Sequence, residues 1–175
     1  MRIVLIAAQS LDGFIAKPAQ PGTAFTSPED QAYFRSAMAD FEVGVLGAET
    51  YRVSRDAIRA QAARRSLRVV LTRSPERYAE DASPGALEFT ALPPAALAHE
   101  LRDRGFRRCA LLGGAQAHSL FLAAGLVDEI WLTVEPLLFG GGTPLLAHPT
   151  DTRLELLALE RLGASTLLAK YQVVR

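Results

Sequence analysis

The chain has 175 residues, of which 49% are hydrophobic, and its 19 basic residues balance its 19 acidic ones. A single domain of this length can bury a large core, and a neutral charge argues against a general nucleic-acid or membrane-surface binder. One cysteine, Cys109, excludes an intramolecular disulfide and a cysteine-cluster zinc site. No apolar run approaches the roughly 20 residues that span a bilayer. We expect one soluble, cytoplasmic domain over residues 1–175, without a bound metal.

The N-terminal segment predicts a central strand and then a loop. Arg2 to Ala8 is almost continuously apolar, which is typical of a strand buried on both faces. After a turn at Asp12-Gly13, Phe14 to Ala16 is long enough only for a strand remnant. Lys17 to Thr26 contains two prolines and a glycine, and its composition predicts an irregular surface loop. Two roles remain open for this loop: it could cover a binding site as a lid, or it could simply connect two elements.

The first helix carries a candidate acid. Ser27 begins it as a capping residue, with proline at the first helical position and acidic residues in the first turn. Asp30 lies three and four residues before Tyr33 and Phe34, so it shares their apolar face. Two interpretations remain open for Asp30: a partly desolvated carboxyl group with a raised pKa, or an ordinary acid in the helix cap.

Two strand ends carry residues suited to a phosphate group. Glu42 to Gly47 predicts a strand that runs through glycine into a helix, with the Thr50 hydroxyl in the first helical turn. Leu67 to Leu71 predicts another strand, which Thr72-Arg73-Ser74 follows directly. An arginine flanked by hydroxyl side chains can clamp a phosphate monoester. The alternative is a loop of small polar residues before a proline.

The segment from Arg52 to Arg68 carries six arginines and one acidic residue, Asp56. Runs of this kind are more often a solvated helical face than a polyanion site. Aromatic residues are not interleaved with the arginines, as they are in many single-strand nucleic-acid binders. We therefore expect no nucleic-acid partner and no membrane partner.

The central feature of the chain is the segment from Leu111 to Phe121. An apolar strand ends at Gly113-Gly114, and apolar residues recur at helical spacing after the glycines. Free backbone N–H groups and the helix dipole at such a start attract an anion, and glycines allow its close approach. The alternative is a tight turn that binds no ligand.

The C-terminal part predicts a last parallel strand and a closing hairpin. Ile130 to Glu135 alternates so that Thr133 and Glu135 lie on one face. Pro136 to Pro149 is a glycine-rich loop. Thr152 to Leu162 and Ser165 to Val174 predict an antiparallel hairpin.

The strand ends together suggest a dinucleotide site. In open α/β sheets the ligand crevice lies outside the carboxyl ends of the strands. Two glycine-to-helix turns and one arginine suit a pyrophosphate and an additional 2′-phosphate. The first turn lacks Gly-x-Gly-x-x-Gly, so the ordinary Rossmann fingerprint is absent, and no Walker lysine follows the glycines.

The order of these motifs resembles the dihydrofolate reductase-like superfamily, and within it the RibD C-terminal type, the reductase domain of bifunctional riboflavin-biosynthesis deaminase-reductases. The resemblance covers nearly the whole chain and rests on six segments: Leu11–Ala16, Pro28–Phe34, Gly47–Tyr51, Leu71–Ser74, Leu112–Gly114 and Leu132–Glu135. It implies a three-layer α/β fold with a mixed, mostly parallel central sheet, helices on both faces and a C-terminal antiparallel hairpin. The Pro-Trp pair of true dihydrofolate reductases is absent from residues 17–26, which favours the riboflavin-type branch.

The resemblance also implies a function: hydride transfer from NADPH to a small heterocyclic substrate of pyrimidine, pterin or ribosylamino-pyrimidine type. Asp30 would orient or help protonate the substrate with support from Thr133, and Glu135 is a further candidate substrate contact. The implied cofactor-binding residues are Ala8, Ile15, Gly47, Thr50, Thr72, Arg73, Ser74, Gly113, Gly114, Ala115 and Gln116. The riboflavin-type branch implies a homodimer.

Two other functions remain open on the sequence. One is a genuine dihydrofolate reductase, and the other is a non-catalytic NADPH-binding or sensor domain. Ala48 stands where many dihydrofolate reductases have a basic residue. We therefore expect cofactor affinity to depend more on Arg73 and on backbone amides.

Overall fold

A computed structural model describes residues 1–61 and 66–175. The strands in these ranges are β1 (Arg2–Ser10), β2 (Phe14–Ala16), β3 (Val43–Gly47), β4 (Leu67–Leu71), β5 (Leu87–Thr90), β6 (Arg108–Leu111), β7 (Glu129–Glu135), β8 (Thr143–Pro144), β9 (Leu154–Arg161) and β10 (Leu167–Val173). The α-helices are α1 (Pro28–Ala37), α2 (Ala48–Gln61), α3 (Pro94–Asp103) and α4 (Ala115–Ala123). Short 3-10 helices cover Met38–Asp40 and Pro75–Tyr78.

Eight strands form one sheet in the order β5-β4-β3-β6-β1-β7-β10-β9. Every neighbouring pair from β5 to β7 is parallel, whereas β10 is antiparallel to both β7 and β9. Ile3 and Leu5 of β1 are fully buried. The predicted central first strand, the mostly parallel sheet and the closing hairpin are therefore confirmed.

The helices cover both faces of the sheet, because parallel strands need crossover connections. On one face, Leu101 of α3 and Phe121 of α4 belong to the main core together with alternate residues of β1. On the other face, Phe41 after α1 packs against the remaining residues of β1, and Tyr51 of α2 packs against β3 and β4. This arrangement is the expected three-layer fold.

Residues 136–149 contain a short strand that the sequence does not predict. β8 pairs antiparallel with β2 and forms a second, two-stranded sheet. A strand of only two residues, the second of them proline, cannot show an alternation of apolar and polar residues in the sequence. Its extended conformation depends on its pairing with β2. The pairing ties the glycine-rich loop to the segment just before Lys17–Thr26.

The basic segment divides into three parts. Arg55 and Arg59 form ion pairs with Asp81, at 2.6 Å and 3.3 Å, from positions that are about half exposed. Residues 62–65 lie outside the described residues. Arg68 instead reaches a cleft beneath α2. Arg55 and Arg59 thus belong to the solvated helical face that we expect, and their ion pairs with Asp81 attach that face to the loop after β4.

None of the helices in the described part of the chain is long and apolar enough to cross a bilayer. The expected cytoplasmic location stays a prediction.

Candidate active site

A cleft of about 810 Å³ opens between α1 and α2. It is lined by the carboxyl-terminal halves of β1 and β3, by both helices and by the start of α4. Its volume falls within the range of about 300–1,000 Å³ that is typical of small-molecule sites. Ala8 and Ile15, two of the predicted cofactor-binding residues, line it.

The two glycine turns lie side by side, because β3 and β6 are neighbours in the sheet. The N–H of Gly47 donates a hydrogen bond of 2.6 Å to the carbonyl of Gly113. A Cβ atom at Gly114 would lie 3.2 Å from the Thr50 hydroxyl oxygen, so the second turn also contacts the first turn of α2. Gly113 has a φ of +100°, in the region that favours glycine, and the Gly113-Gly114 peptide is cis. The predicted anion-binding turns therefore form one surface.

The start of α4 has no side-chain cap. Gly114 is its N-cap residue, and no side chain accepts hydrogen bonds from the first turn. The first backbone N–H groups of a helix lack intrahelical partners, and the helix dipole favours negative charge there. Gly114, Ala115 and Gln116 line the cleft together with Gly47 and Thr50. This cradle fits an anionic group such as the pyrophosphate of a dinucleotide.

His118 and Ser119 of α4 were not predicted to matter. His118 is 1% exposed, and its Nδ1 donates to the carbonyl of Leu145 over 2.9 Å. Burial lowers the pKa of His118 to about 4, so the ring is neutral near pH 7. The Ser119 hydroxyl accepts from the N–H groups of Ala147 and His148. These polar residues thus hold the segment after β8 against the helix that begins at the glycine turn.

Asp30 is buried at the head of α1 and lines the cleft. Its backbone N–H donates to the hydroxyl of Ser27, the predicted cap residue. Burial raises the pKa of the Asp30 carboxyl, a hydrogen bond from Thr133 opposes that rise, and the negative charge of Glu135 adds to it. Asp30 therefore combines both interpretations: its amide takes part in the cap, while its carboxyl group is desolvated.

Glu135 lies behind Asp30. Its Oε1 accepts hydrogen bonds from the N–H and the hydroxyl of Ser27, and its Oε2 accepts from the hydroxyl of Thr166. Neither Glu135 nor Thr133 is among the residues that line the cleft. The direct substrate contact predicted for Glu135 is not supported by this placement, because α1 covers the carboxylate. Strand alternation placed Thr133 and Glu135 on one face, but it does not reveal what packs on that face.

Thr72, Arg73 and Ser74 follow β4 outside the cleft lining, which includes Leu71. The Thr72 hydroxyl accepts from the N–H of Ser74 over 3.2 Å, and the Arg73 side chain is exposed. Gly113 also lies outside the lining, because it is covered by the ring of His118. The contact of residues 72–74 with a 2′-phosphate stays a prediction.

Arg68 is a cleft residue that sequence reasoning missed. Its guanidinium donates to the Ser66 hydroxyl, and burial lowers its pKa. A Cβ atom at Gly44 would lie 3.1 Å from Arg68 Nη1, so the glycine leaves room for this side chain. In the sequence, Arg68 is one of six arginines in the segment from Arg52 to Arg68, and nothing distinguishes it as the one that lines the cleft.

Residues 2–168 match the model of the RibD C-terminal domain. The uncharacterized protein YwjB of Bacillus subtilis (strain 168) is 27% identical in an alignment of 176 positions that covers 95% of each chain. A diaminohydroxyphosphoribosylaminopyrimidine deaminase/5-amino-6-(5-phosphoribosylamino)uracil reductase from Thermotoga maritima has a TM-score of 0.81 at 16% identity, over 99% of this chain and 56% of that one. A dihydrofolate reductase from Enterococcus faecalis complexed with NADP(H) has a TM-score of 0.65 at 16% identity, over 98% and 96% of the two chains.

The fold is that of the dihydrofolate reductase-like proteins, and the cleft lies at the carboxyl ends of its parallel strands. Within that class the chain belongs to the RibD C-terminal domain family, because the family model matches nearly its whole length. The predicted family and fold are thereby confirmed.

We expect Asp30→Asn to increase the free energy of unfolding at pH 8 but not at pH 3. A raised native pKa means that native Asp30 holds its proton more tightly than the unfolded chain does. Stability is therefore lost as the pH rises from about 4, the unfolded value, through the native pKa. Asparagine removes that loss. Urea titrations at the two pH values measure the difference.

Asp81→Asn is the matched control, with the opposite sign. Asp81 is equally buried, but hydrogen bonds from Arg55 hold its pKa below the usual value. Its ionised form therefore stabilises the native state above about pH 4, and this contribution is lost as the pH falls through the native pKa. Asp81→Asn should destabilise the protein at pH 8. Equal effects of the two substitutions at pH 8 would contradict the proposed difference.

Proposed function

We propose that this protein is an NADPH-dependent reductase that transfers a hydride to a small heterocyclic substrate of pyrimidine, pterin or ribosylamino-pyrimidine type. The observation that carries the proposal is the cleft that joins the two glycine turns, one of them at the uncapped start of α4, to a buried acid. The turns at Gly47 and Gly114 offer backbone N–H groups to an anion, and Asp30 lines the same cleft. A cleft that only bound an anion would not need a desolvated carboxyl group.

The chain offers contacts to each part of the cofactor. The amides at the starts of α2 and α4 and the Thr50 hydroxyl would hold the diphosphate, and Arg73 would hold the 2′-phosphate. Ala8 and Ile15 would border the nicotinamide. When bound, NADPH supplies the hydride. The NADP(H) in the Enterococcus faecalis enzyme of similar fold supports this choice of cofactor.

The acid end of the cleft would receive the substrate. Reduction of a C=N or C=O bond adds a hydride to the carbon and a proton to the nitrogen or oxygen. Because burial favours the protonated form of Asp30, that group can donate a hydrogen bond or the proton itself. Thr133 would orient the carboxyl group, and the apolar walls would exclude water. The protein's main task is to hold two rings in the correct orientation.

The substrate class that we favour is a ribosylamino-pyrimidine. The Thermotoga maritima protein is named for reduction of 5-amino-6-(5-phosphoribosylamino)uracil. In the present chain Arg35 and Arg68 both line the cleft and give it cationic groups for a phosphorylated tail. The cleft still carries an acid supported by a threonine, which suits a pterin, so a folate reductase is the second candidate.

An NADPH oxidation assay with ribosylamino-pyrimidines, pterins and simple carbonyl compounds tests the proposal. We expect turnover with a pyrimidine, and we expect Asp30→Asn to lower it by about 10²–10⁴-fold while NADPH still binds. Turnover of dihydrofolate alone, with strong thermal protection by methotrexate-type diaminopyrimidines, would identify a folate reductase. NADPH binding without oxidation of any compound would indicate a sensor domain.

We expect Arg73→Ala to weaken NADPH binding by about tenfold or more and to leave NADH binding nearly unchanged. The loss of one charged hydrogen-bond donor to a phosphate costs about 1.5–3 kcal/mol, and NADH lacks that phosphate. Fluorescence titration of both cofactors measures the two dissociation constants. The control is Arg77→Ala, because Arg77 is also an exposed arginine and lies four residues further along the chain. An equal loss for NADPH and NADH would remove Arg73 from this role.

We also propose that the protein is a homodimer that uses the outer edge of the hairpin. Within the described residues β9 pairs only with β10, so one of its edges is open. Four leucines of β9 are between 39% and 62% exposed: Leu154, Leu156, Leu157 and Leu159. An apolar edge strand promotes association unless a partner covers it.

We expect Leu159→Lys to convert a dimer into a monomer, because a charge at the centre of an apolar contact must be desolvated. Size-exclusion chromatography with light scattering measures the mass. Leu138→Lys is the control, since Leu138 is 73% exposed in the loop after β7, away from this edge. A monomeric wild-type protein, or a variant that remains dimeric, would contradict the proposal.

A further inference from the structure

We propose that Glu135 is a positioning residue of the acid site: from behind the cleft its carboxyl group holds Ser27 at the start of α1 and thereby sets the position of Asp30. This inference rests on the proposed function, in which Asp30 meets the substrate. It replaces the direct substrate contact that the sequence suggested for Glu135. The role is carried by the hydrogen bonds of a buried side chain.

Both oxygens of the Glu135 carboxyl group accept hydrogen bonds. Its three hydrogen bonds, from the N–H of Ser27 at 2.7 Å, the Ser27 hydroxyl at 2.8 Å and the Thr166 hydroxyl at 2.8 Å, all come from donors. The side chain is 2% exposed and lies at the N-terminus of α1, where the helix dipole stabilises negative charge.

Ser27 connects Glu135 to Asp30. The single proton of the Ser27 hydroxyl is donated to Glu135, so the oxygen is left to accept from the N–H of Asp30, at 3.2 Å. The cap of α1 is thereby attached to β7 at a defined point. Asp30 projects from the first turn of that helix, and its position in the cleft follows from the attachment.

The charge of Glu135 acts on a carboxyl group that is already desolvated. Burial raises the pKa of Asp30, the Thr133 hydroxyl lowers it, and Glu135 raises it again. Of the other ionisable groups near this end of α1, Tyr33 is neutral because burial raises its pKa. Lys170 and Glu160 pair at 2.9 Å beside the Tyr33 ring, and their charges largely cancel.

The adjacent acid of α1, Glu29, contacts the loop between β9 and β10. Its side chain lies within about 3 Å of the position that a Cβ atom at Gly163 would take. It is exposed, so water screens its charge. Burial is the main cause of the raised pKa of Asp30, and Glu135 is the buried acidic side chain that adds to it.

The substitution Glu135→Gln removes the ionisable group but keeps the hydrogen bonds that attach residue 135 to Ser27. The amide oxygen can still accept from both donors of Ser27, and the amide nitrogen can donate to the Thr166 hydroxyl after that hydroxyl rotates. The fold should therefore persist. Glu129→Gln is the matched control, because Glu129 lies on the same strand, is 2% exposed and bonds to Trp131 and Arg2 at the other end of β7.

The experiment is a carbon-13 NMR titration of the Asp30 carboxyl group, carried out without cofactor or substrate. We expect Glu135→Gln to shift this titration to lower pH and Glu129→Gln to leave it unchanged. The upper pH limit of reductase turnover should shift with it, while KM for NADPH stays constant. A purely structural role for Glu135 would lower the melting temperature without moving either titration.

Three results would overturn the inference: an unchanged Asp30 titration in Glu135→Gln, an equal shift in Glu129→Gln, or a wild-type spectrum in which Glu135 titrates above Asp30. The wild-type spectrum needs no variant, so the inference can be tested even if Glu135→Gln fails to fold. The titration also needs no turnover. A protein that shows the expected shift but oxidises no NADPH would refute the reductase function and keep the coupling of the two carboxyl groups.

Discussion

The hydrogen bond from the N–H of Gly47 to the carbonyl of Gly113 is the contact on which the site depends. It exists because β3 and β6, which are more than 60 residues apart in the chain, are parallel neighbours in the sheet. Their carboxyl ends therefore meet, and two helices begin next to each other, α4 without a side-chain cap. A side chain at Gly114 would press on the Thr50 hydroxyl at the start of α2, and one at Gly113 would press on the ring of His118. The cleft is a consequence of strand order.

The acid end of the cleft depends on β7 instead. This strand carries two buried glutamates with different surroundings: Glu129 bonds to Trp131 and Arg2, and Glu135 accepts hydrogen bonds from Ser27 and Thr166. The first is balanced by a cation. The second has only neutral hydrogen-bond donors as partners, at the N-terminus of α1. Asp30 lies close enough to respond to Glu135.

Local patterns predicted most of the fold. The unbroken apolar run of β1, the capping serine of α1 and the two segments of the closing hairpin each depend on a few consecutive residues, and each is confirmed. The strand β8 was missed because only its pairing with β2 makes it a strand. Arg68 was missed for a related reason: a basic run is read as one solvated face, whereas burial is decided residue by residue.

The sequence by itself determined the family, the layered fold and the set of residues able to bind an anion or carry a proton, because these follow from residue type, spacing and motif order. Only the tertiary structure decided which of these residues share the cleft. It placed Gly114, Thr50 and Asp30 on one lining and left Glu135 beneath α1. The physical reason is that desolvation and hydrogen bonding between residues more than 100 positions apart depend on packing, which no local pattern of residues encodes.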